Sequence, residues 1–330
     1  MRHRLILLTR AAALAGIAAV AGAAQPAAQS PARTAWGDPD LQGVYTFATI
    51  TPLQRPDDVE GRERLTAEEA ASFEERTALE RVDRPPRAGD TGTYNRFWVD
   101  YGTRVVGTLR TSLIVDPPDG RLPPLAPAAQ ARSEARRAAG PQPPAGHEDL
   151  SITDRCIMGF NAGPPFVPSA YNNTVQLFQT PGHVVILNEM IHDARVVPLD
   201  GRPHLDAGIQ QWMGDSRGRW EGETLVIETT NFASGRDMTR GVNIWRYVDP
   251  RGAVATSRLV ERFTRLDDGT LSYEFTIDDP GTWTSPWTAA FPLVGIDGEL
   301  FEYACHEGNY SAANILAGAR ADERRQASAP

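Results

Sequence analysis

The chain contains no lysine: all 33 cationic side chains are arginines. That absence excludes Schiff-base chemistry, a lysine-anchored pyridoxal group and the Walker lysine that grips nucleotide phosphates. Positive charge is not in excess either. The formal net charge is −9, so no basic field favours a nucleic acid partner. No G-x-G-x-x-G run opens a helix, which removes the usual dinucleotide cradle. The six histidines and two cysteines show no HxH, HExxH or CxxC spacing, so no metal is expected although His183, His192, His204 and His306 are free to converge. No cofactor of any kind is expected. After residue 24 no apolar run is long enough to span a bilayer.

Residues 1–24 read as a secretory signal. Arg2 and Arg4 form a basic start, 5–8 and 11–20 supply apolar length, and Ala21-Gly22-Ala23 is a cleavage site. The alternative is an uncleaved anchor, against which the run is short for a spanning helix and is interrupted by Arg10. The expected location is therefore periplasmic or secreted, with no transmembrane segment after cleavage. In that oxidising setting Cys156 and Cys305 are expected to pair as a structural disulfide. Closing so long a loop restricts the unfolded chain by roughly 5 kcal/mol on the entropy model.

The remaining chain divides into an irregular N-terminal extension, 25–150, and a β-rich part, 151–330. The extension opens on a flexible leader at 25–36 and a short strand at 40–46. Thr66 with Glu69 is a capping box ahead of a helix at 67–81. A Pro/Gly/Arg-rich loop follows at 82–93. Residues 104–115 and 121–125 read as strands around the turn DPPDG, 127–139 as a second helix and 140–148 as a linker. Beyond 151 strands are expected at 174–179, 183–190, 194–199 and 224–229, the last entered by the turn Trp220-Glu221-Gly222-Glu223. Two hairpins follow, 259–266 with 270–277 and 291–295 with 300–305, then a helix at 311–320.

The first hairpin fixes its own register. A three-residue loop ending in Gly269 sets Arg262 opposite Glu274 and Arg258 opposite Asp278, two ion pairs on one face. It sets Phe263 opposite Tyr273 and Leu259 opposite Ile277 on the other, and a one-residue slip destroys both sets. In the second, Val294, Phe301, Tyr303 and Cys305 would share an apolar face. The fold class expected is mainly β: an antiparallel meander closing into a calycin- or lipocalin-like barrel, wrapped or extended by 25–150 with its two short helices. An open sandwich is the second choice.

Four polar clusters carry the candidate chemistry. In GHVVILNEMIHDARVVPLDGRPH, residues 182–204, His192 has the side-chain type best suited to proton transfer near neutrality, and Glu189 or Asp193 would orient it. A hairpin turn with solvated polar residues carries the same pattern. In QWMGDSRGRWEGE, residues 211–223, Trp212 and Trp220 bracket a polar loop in which Asp215 and Arg217 would meet a ligand; the alternative is two tryptophans plugging a barrel end. Residues 214–218 match G-x-S-x-G, but the following strand denies Ser216 the strand-to-helix turn that a nucleophile elbow requires. In EYACHEGNY, residues 302–310, His306 is a second acid/base candidate or a strand-end residue. DDPGTWTSPW, residues 278–287, reads as a corner packed by Trp283 and Trp287.

DLQGVYT after the leader, LDGRPH, GDSRGRWEGETLVIETTNF and ERF with DDPGTWTSPW together resemble a large family of exported bacterial proteins of unknown function. The resemblance spans most of the mature chain and implies a β-barrel-like core but no catalytic role for any residue. The function expected is an exported, cofactor-independent enzyme of hydrolase, lyase or isomerase type acting on a small organic substrate at a barrel mouth. Its catalytic groups would be His192, Asp193, Glu189 and His306. Trp212, Asp215, Arg217, Trp220, Arg195 and Tyr303 would bind the substrate. The alternative is a non-catalytic periplasmic small-ligand-binding protein on the same scaffold, and a third is a structural envelope protein without a cavity.

Overall fold

Ten strands and three helices build the described residues of this computed structural model, which are 32–80, 99–100, 102–139, 143–233, 257–266 and 269–328. The expected signal at 1–24, most of the expected leader, the expected loop at 82–93 and Asp267-Asp268 of the first hairpin lie outside them. The strands are β1 Gly43–Thr46, β2 Ile114–Asp116, β3 Thr174–Thr180, β4 His183–Asn188, β5 Ala194–Pro198, β6 Asp215–Glu221, β7 Thr224–Thr230, β8 Arg258–Arg265, β9 Thr270–Asp278 and β10 Trp287–Gly295. The helices are α1 Ala67–Glu80, α2 Pro127–Ala139 and α3 Ser311–Ala327.

The fold is mainly β, an antiparallel sheet nearly closed into a barrel. Its order is β5-β4-β3-β1-β10-β9-β8-β7-β6, with β2 joined to β10 off this path. Read as a circle, neighbours follow chain order, β10 closing against β1, which is the up-and-down connectivity expected. The opening lies elsewhere, between β5 and β6. Nine strands joined by antiparallel pairings leave the first and last of the path pointing the same way. β5 and β6 therefore run in parallel, and a short turn cannot connect them. Residues 199–214 must return along the barrel before β6 starts.

The hairpin register is the one the sequence dictates, with Arg258 opposite Asp278, Leu259 opposite Ile277, Arg262 opposite Glu274 and Phe263 opposite Tyr273. The arginines, however, reach the other way, Arg258 to Glu228 on β7 and Arg262 to Glu221 on β6. The second hairpin does not form. One edge of β10 is taken by β9 and the other by β1 and β2, so no ladder is left for residues 300–305. They run as loop, Phe301 is 76 % exposed, and the expected apolar face with Val294 and Tyr303 is absent. Residues 104–115 are likewise strand only from Ile114; Leu109 at φ +57° breaks the run. β6 was expected as a polar loop and is a strand instead.

Local signals elsewhere hold. Thr66 N–H donates to Glu69 and Glu69 N–H to the Thr66 hydroxyl, completing the capping box. The Gly222-Glu223 loop joins β6 to β7 with Gly222 at φ +61°. Cys156 and Cys305 form the disulfide, which ties the 301–310 loop ahead of α3 to the segment before β3. Trp283 and Trp287 pack edge to face, 6.3 Å between ring centres, as the corner at the start of β10.

Because the open seam lacks a backbone ladder, side chains must secure it. Gly218 on β6 has no Cβ; one there would lie 2.5 Å from Leu199 Cδ2 and 3.0 Å from Val197 Cγ1, so the glycine lets both side chains pack onto β6. Arg195 on β5 reaches across the interior to Glu261 on β8 with both terminal nitrogens. Tyr273 on β9 donates to Glu261 Oε1 at 2.8 Å and accepts the Phe166 N–H at 3.1 Å. All three side chains are buried, and burial pushes the Tyr273 hydroxyl well above its usual pKa. Removing one partner strands a charge in the core. Arg195→Met should lower the free energy of unfolding by about 3–5 kcal/mol in urea denaturation. Pairing it with Glu261→Leu should cost clearly less.

Candidate functional site

The barrel interior has two chemically different halves. Near β1, β9 and β10 it is aromatic: Phe166 enters from the segment before β3, stacks on Phe47 at 5.5 Å, lies tilted against Tyr273 at 5.1 Å and meets Phe263 edge-on at 6.3 Å between ring centres. Beside the seam polar groups join an aliphatic lining of Val184, Ile186, Val197, Leu225 and Ile227. Asn188, Arg195, Ser216, Thr229 and Glu261 are all buried there, with Ser216 and Thr229 hydroxyls 2.9 Å apart. This places Ser216 inside the ladder near the start of β6, opposite Thr229, in a setting unlike a nucleophile elbow.

At one end of the polar half, β4 turns into β5 through residues 189–193. Asn188 N–H donates to the Asp193 carbonyl at 2.8 Å, so the two residues face each other across the turn and their side chains share a face. The burial alternation of β4 and β5 makes that the inner face, the one that carries Ile186 and Arg195. Asn188 Oδ1 and Asp193 Oδ2 are both buried and accept no hydrogen bond. Burial pushes the Asp193 carboxyl up to about 6, against the opposing pull of the Gly159 N–H. Unpaired buried acceptors are costly, and the turn is strained as well. Ile191 and His192 both sit at φ +60°, which costs about 1–3 kcal/mol per residue and tends to collect at functional sites.

The expected acid/base residues divide here. Asp193 faces inward. His192 stands exposed at the tip of the turn, and the Asp193 carboxylate bonds to Gly159 rather than to its ring. The proposed orienting pair is thus not formed: the left-handed backbone at Ile191 and His192 carries the imidazole to the outside of the turn, while Asp193 already has the inward parity of β5. Glu189 is 8 % exposed at the start of the turn, and no ion pair reaches it among the described residues. His306 lies elsewhere, exposed in the turn after Cys305.

The expected binding residues do not come together. Arg195 is consumed by Glu261. Trp220 packs inward against the core from β6, while Trp212 is half-exposed on the returning segment. Tyr303 lines a surface cleft beside the disulfide together with Asp154 and Glu302. Asp215 and Arg217 are on the outer face of β6, where they pin that returning segment. Asp215 accepts from His204 Nδ1 at 3.0 Å, Leu205 N–H at 3.0 Å and Arg217 at 2.6 Å. Arg217 also donates to the Pro203 carbonyl, and the Asn231 amide reaches the carbonyls of Leu205, Asp206 and Ile209. Burial pushes the Asp215 carboxyl up, but these donors outweigh it and hold it below the usual range. A His–carboxylate pair therefore exists, at His204–Asp215, fastening the segment that the parallel seam makes necessary.

Glu261 and Tyr273 were not foreseen as members of the polar interior. The signal was present: an acid at 261 has the same strand parity as Leu259 and Phe263. Among the described residues, no three His, Cys, Asp or Glu side chains gather as a metal site would.

The raised Asp193 value has a consequence for stability. The folded form holds a proton that the unfolded form, near 3.8, releases. This contribution is present below about pH 4 and is lost as pH rises through 6. Asp193→Asn should raise stability at pH 7.5 and flatten the slope between pH 4 and 6, as read by urea unfolding. Comparison with family models, with curated proteins and with solved structures finds no match to this chain.

Proposed function

We propose that the protein is an exported acid–base enzyme acting on a small organic substrate at the seam-side end of its barrel, with Asp193 as the proton carrier. The observation that carries this reading is the buried Asp193 carboxyl, set near 6, whose free oxygen shares the inner face with the equally free Asn188 Oδ1. A carboxyl poised there is ionised at neutral pH and basic enough to take a proton from a substrate. Asn188 would accept a hydrogen bond from a substrate hydroxyl or amide and orient it. Glu189 and His192, at the start and tip of the same turn, would pass the proton to solvent. The strained backbone of the turn supports a site whose geometry is held for function rather than for stability. Hydrolase, lyase and isomerase reactions all use such a group without a cofactor. Export rests on residues 1–24.

The test is a panel of small esters, lactones and hydroxy acids. The wild type should turn over at least one, with kcat/KM rising through an apparent pKa near 6. Asp193→Asn should lower kcat/KM about 10²–10⁴-fold, whereas His192→Ala should retain most activity. Full activity in Asp193→Asn would overturn the assignment. Two unpaired acceptors also suit a non-catalytic binding protein. In that case a ligand is retained without turnover, and Asp193→Asn weakens its binding.

A further inference from the structure

A cleft of about 450 Å³ lies outside the barrel, between α1 and the segments 51–62 and 105–111. Its volume is that of a small-molecule site. The floor is apolar. Leu65, just ahead of α1, and Phe73 on it pack there on a small cluster formed by Ile50, Ala70 and Val105, separate from the main core.

The charges around this floor fall into two groups. Arg62 is held by Glu69, and Arg110 by Glu63. No ion pair reaches Asp58, Glu68 or Arg76 among the described residues, and all three line the cleft. Glu68 stands in the first turn of α1 and Arg76 eight residues later. At 1.5 Å per residue they are about 12 Å apart along the helix. Asp58 adds a second carboxylate without an ion pair to the lining. The cleft thus offers two carboxylates and one guanidinium without an ion pair over an apolar floor, Glu68 also accepting from the Thr66 hydroxyl, with residues 68 and 76 set about 12 Å apart along α1.

From this arrangement we infer that the cleft binds a short apolar peptide with free termini. The ammonium end lies against Glu68 and Asp58, the carboxylate end meets the Arg76 guanidinium, and the side chains cover Leu65, Phe73 and Val105. Length fits the spacing: three extended residues span roughly 10–11 Å at 3.3–3.6 Å each. A fatty acid of the same length leaves the carboxylates without a partner, and an alkyl amine leaves Arg76 without one. The site is independent of Asp193 and of the barrel interior.

Isothermal titration calorimetry with Leu-Ala-Leu tests the inference. The free tripeptide should bind saturably to the wild-type protein. Amidating its C-terminus should weaken binding about tenfold, and acetylating its N-terminus should do the same. In Arg76→Ala, an exposed position whose change leaves the fold intact by circular dichroism, the free and amidated peptides should bind equally while acetylation still weakens binding. Failure of the free tripeptide to bind overturns the proposal. So does equal binding of free and doubly capped peptide to the wild type, which would mark the cleft as a plain apolar groove. An amidation penalty that persists in Arg76→Ala removes Arg76 as the carboxylate partner and overturns it also.

Discussion

Antiparallel pairing around an odd number of strands is the constraint on which this molecule depends. Each pairing reverses direction, so nine strands in one path must end with β5 and β6 parallel. Side-by-side strands that run the same way need a return connection between them, and the chain supplies one as the long segment 199–214. A segment of that length stripped of regular structure loses much entropy on ordering. Asp215, Arg217 and Asn231 recover it with hydrogen bonds to 203–211. The polar motif at 214–232, distinctive in sequence, is in large part the fastening of this segment.

The same seam explains why charge lies inside the barrel. β5 has a ladder on one side only, and Arg195 attaches it to β8 through Glu261. Such a buried pair gains little over apolar packing, but it tolerates no missing partner. Tyr273 and the Phe166 backbone satisfy what remains of the network, so this part of the interior is closed chemically. A few residues along, Asn188 and Asp193 share the interior but not the satisfaction. The contrast between a completed network and an uncompleted one in the same polar half singles out the β4–β5 turn.

How far the sequence could be read depended on the range of the forces involved. The 258–278 hairpin was legible to the residue, because a Gly-terminated turn and alternating side chains leave one register. The Thr66 capping box was legible for the same reason, its partners being three residues apart. The return strand at 300–305 was a false positive of local pattern: it alternates well enough, but β1, from the far end of the chain, already occupies that edge. β6 was hidden by its polarity, since its outer face meets an ordered segment and not bulk water alone. In the candidate site, the turn 189–193 was recognisable by its density of polar residues. Which of them faces inward was not, because that depends on the strand parity of Asp193 and on the Gly159 amide.

The sequence by itself determined the mainly antiparallel β architecture, the pairing of Cys156 with Cys305, and the hairpin register. Each follows from residue chemistry or from contacts between near neighbours, apart from the disulfide, for which two cysteines admit one pairing. Only the tertiary structure decided where the barrel opens, that His204 joins Asp215, that Arg195 is spent on Glu261, and that Asp193 rather than His192 faces inward. These depend on strand count and on contacts between distant segments. Neither a local pattern nor a composition contains them, because closing a sheet on itself is a property of all its strands together.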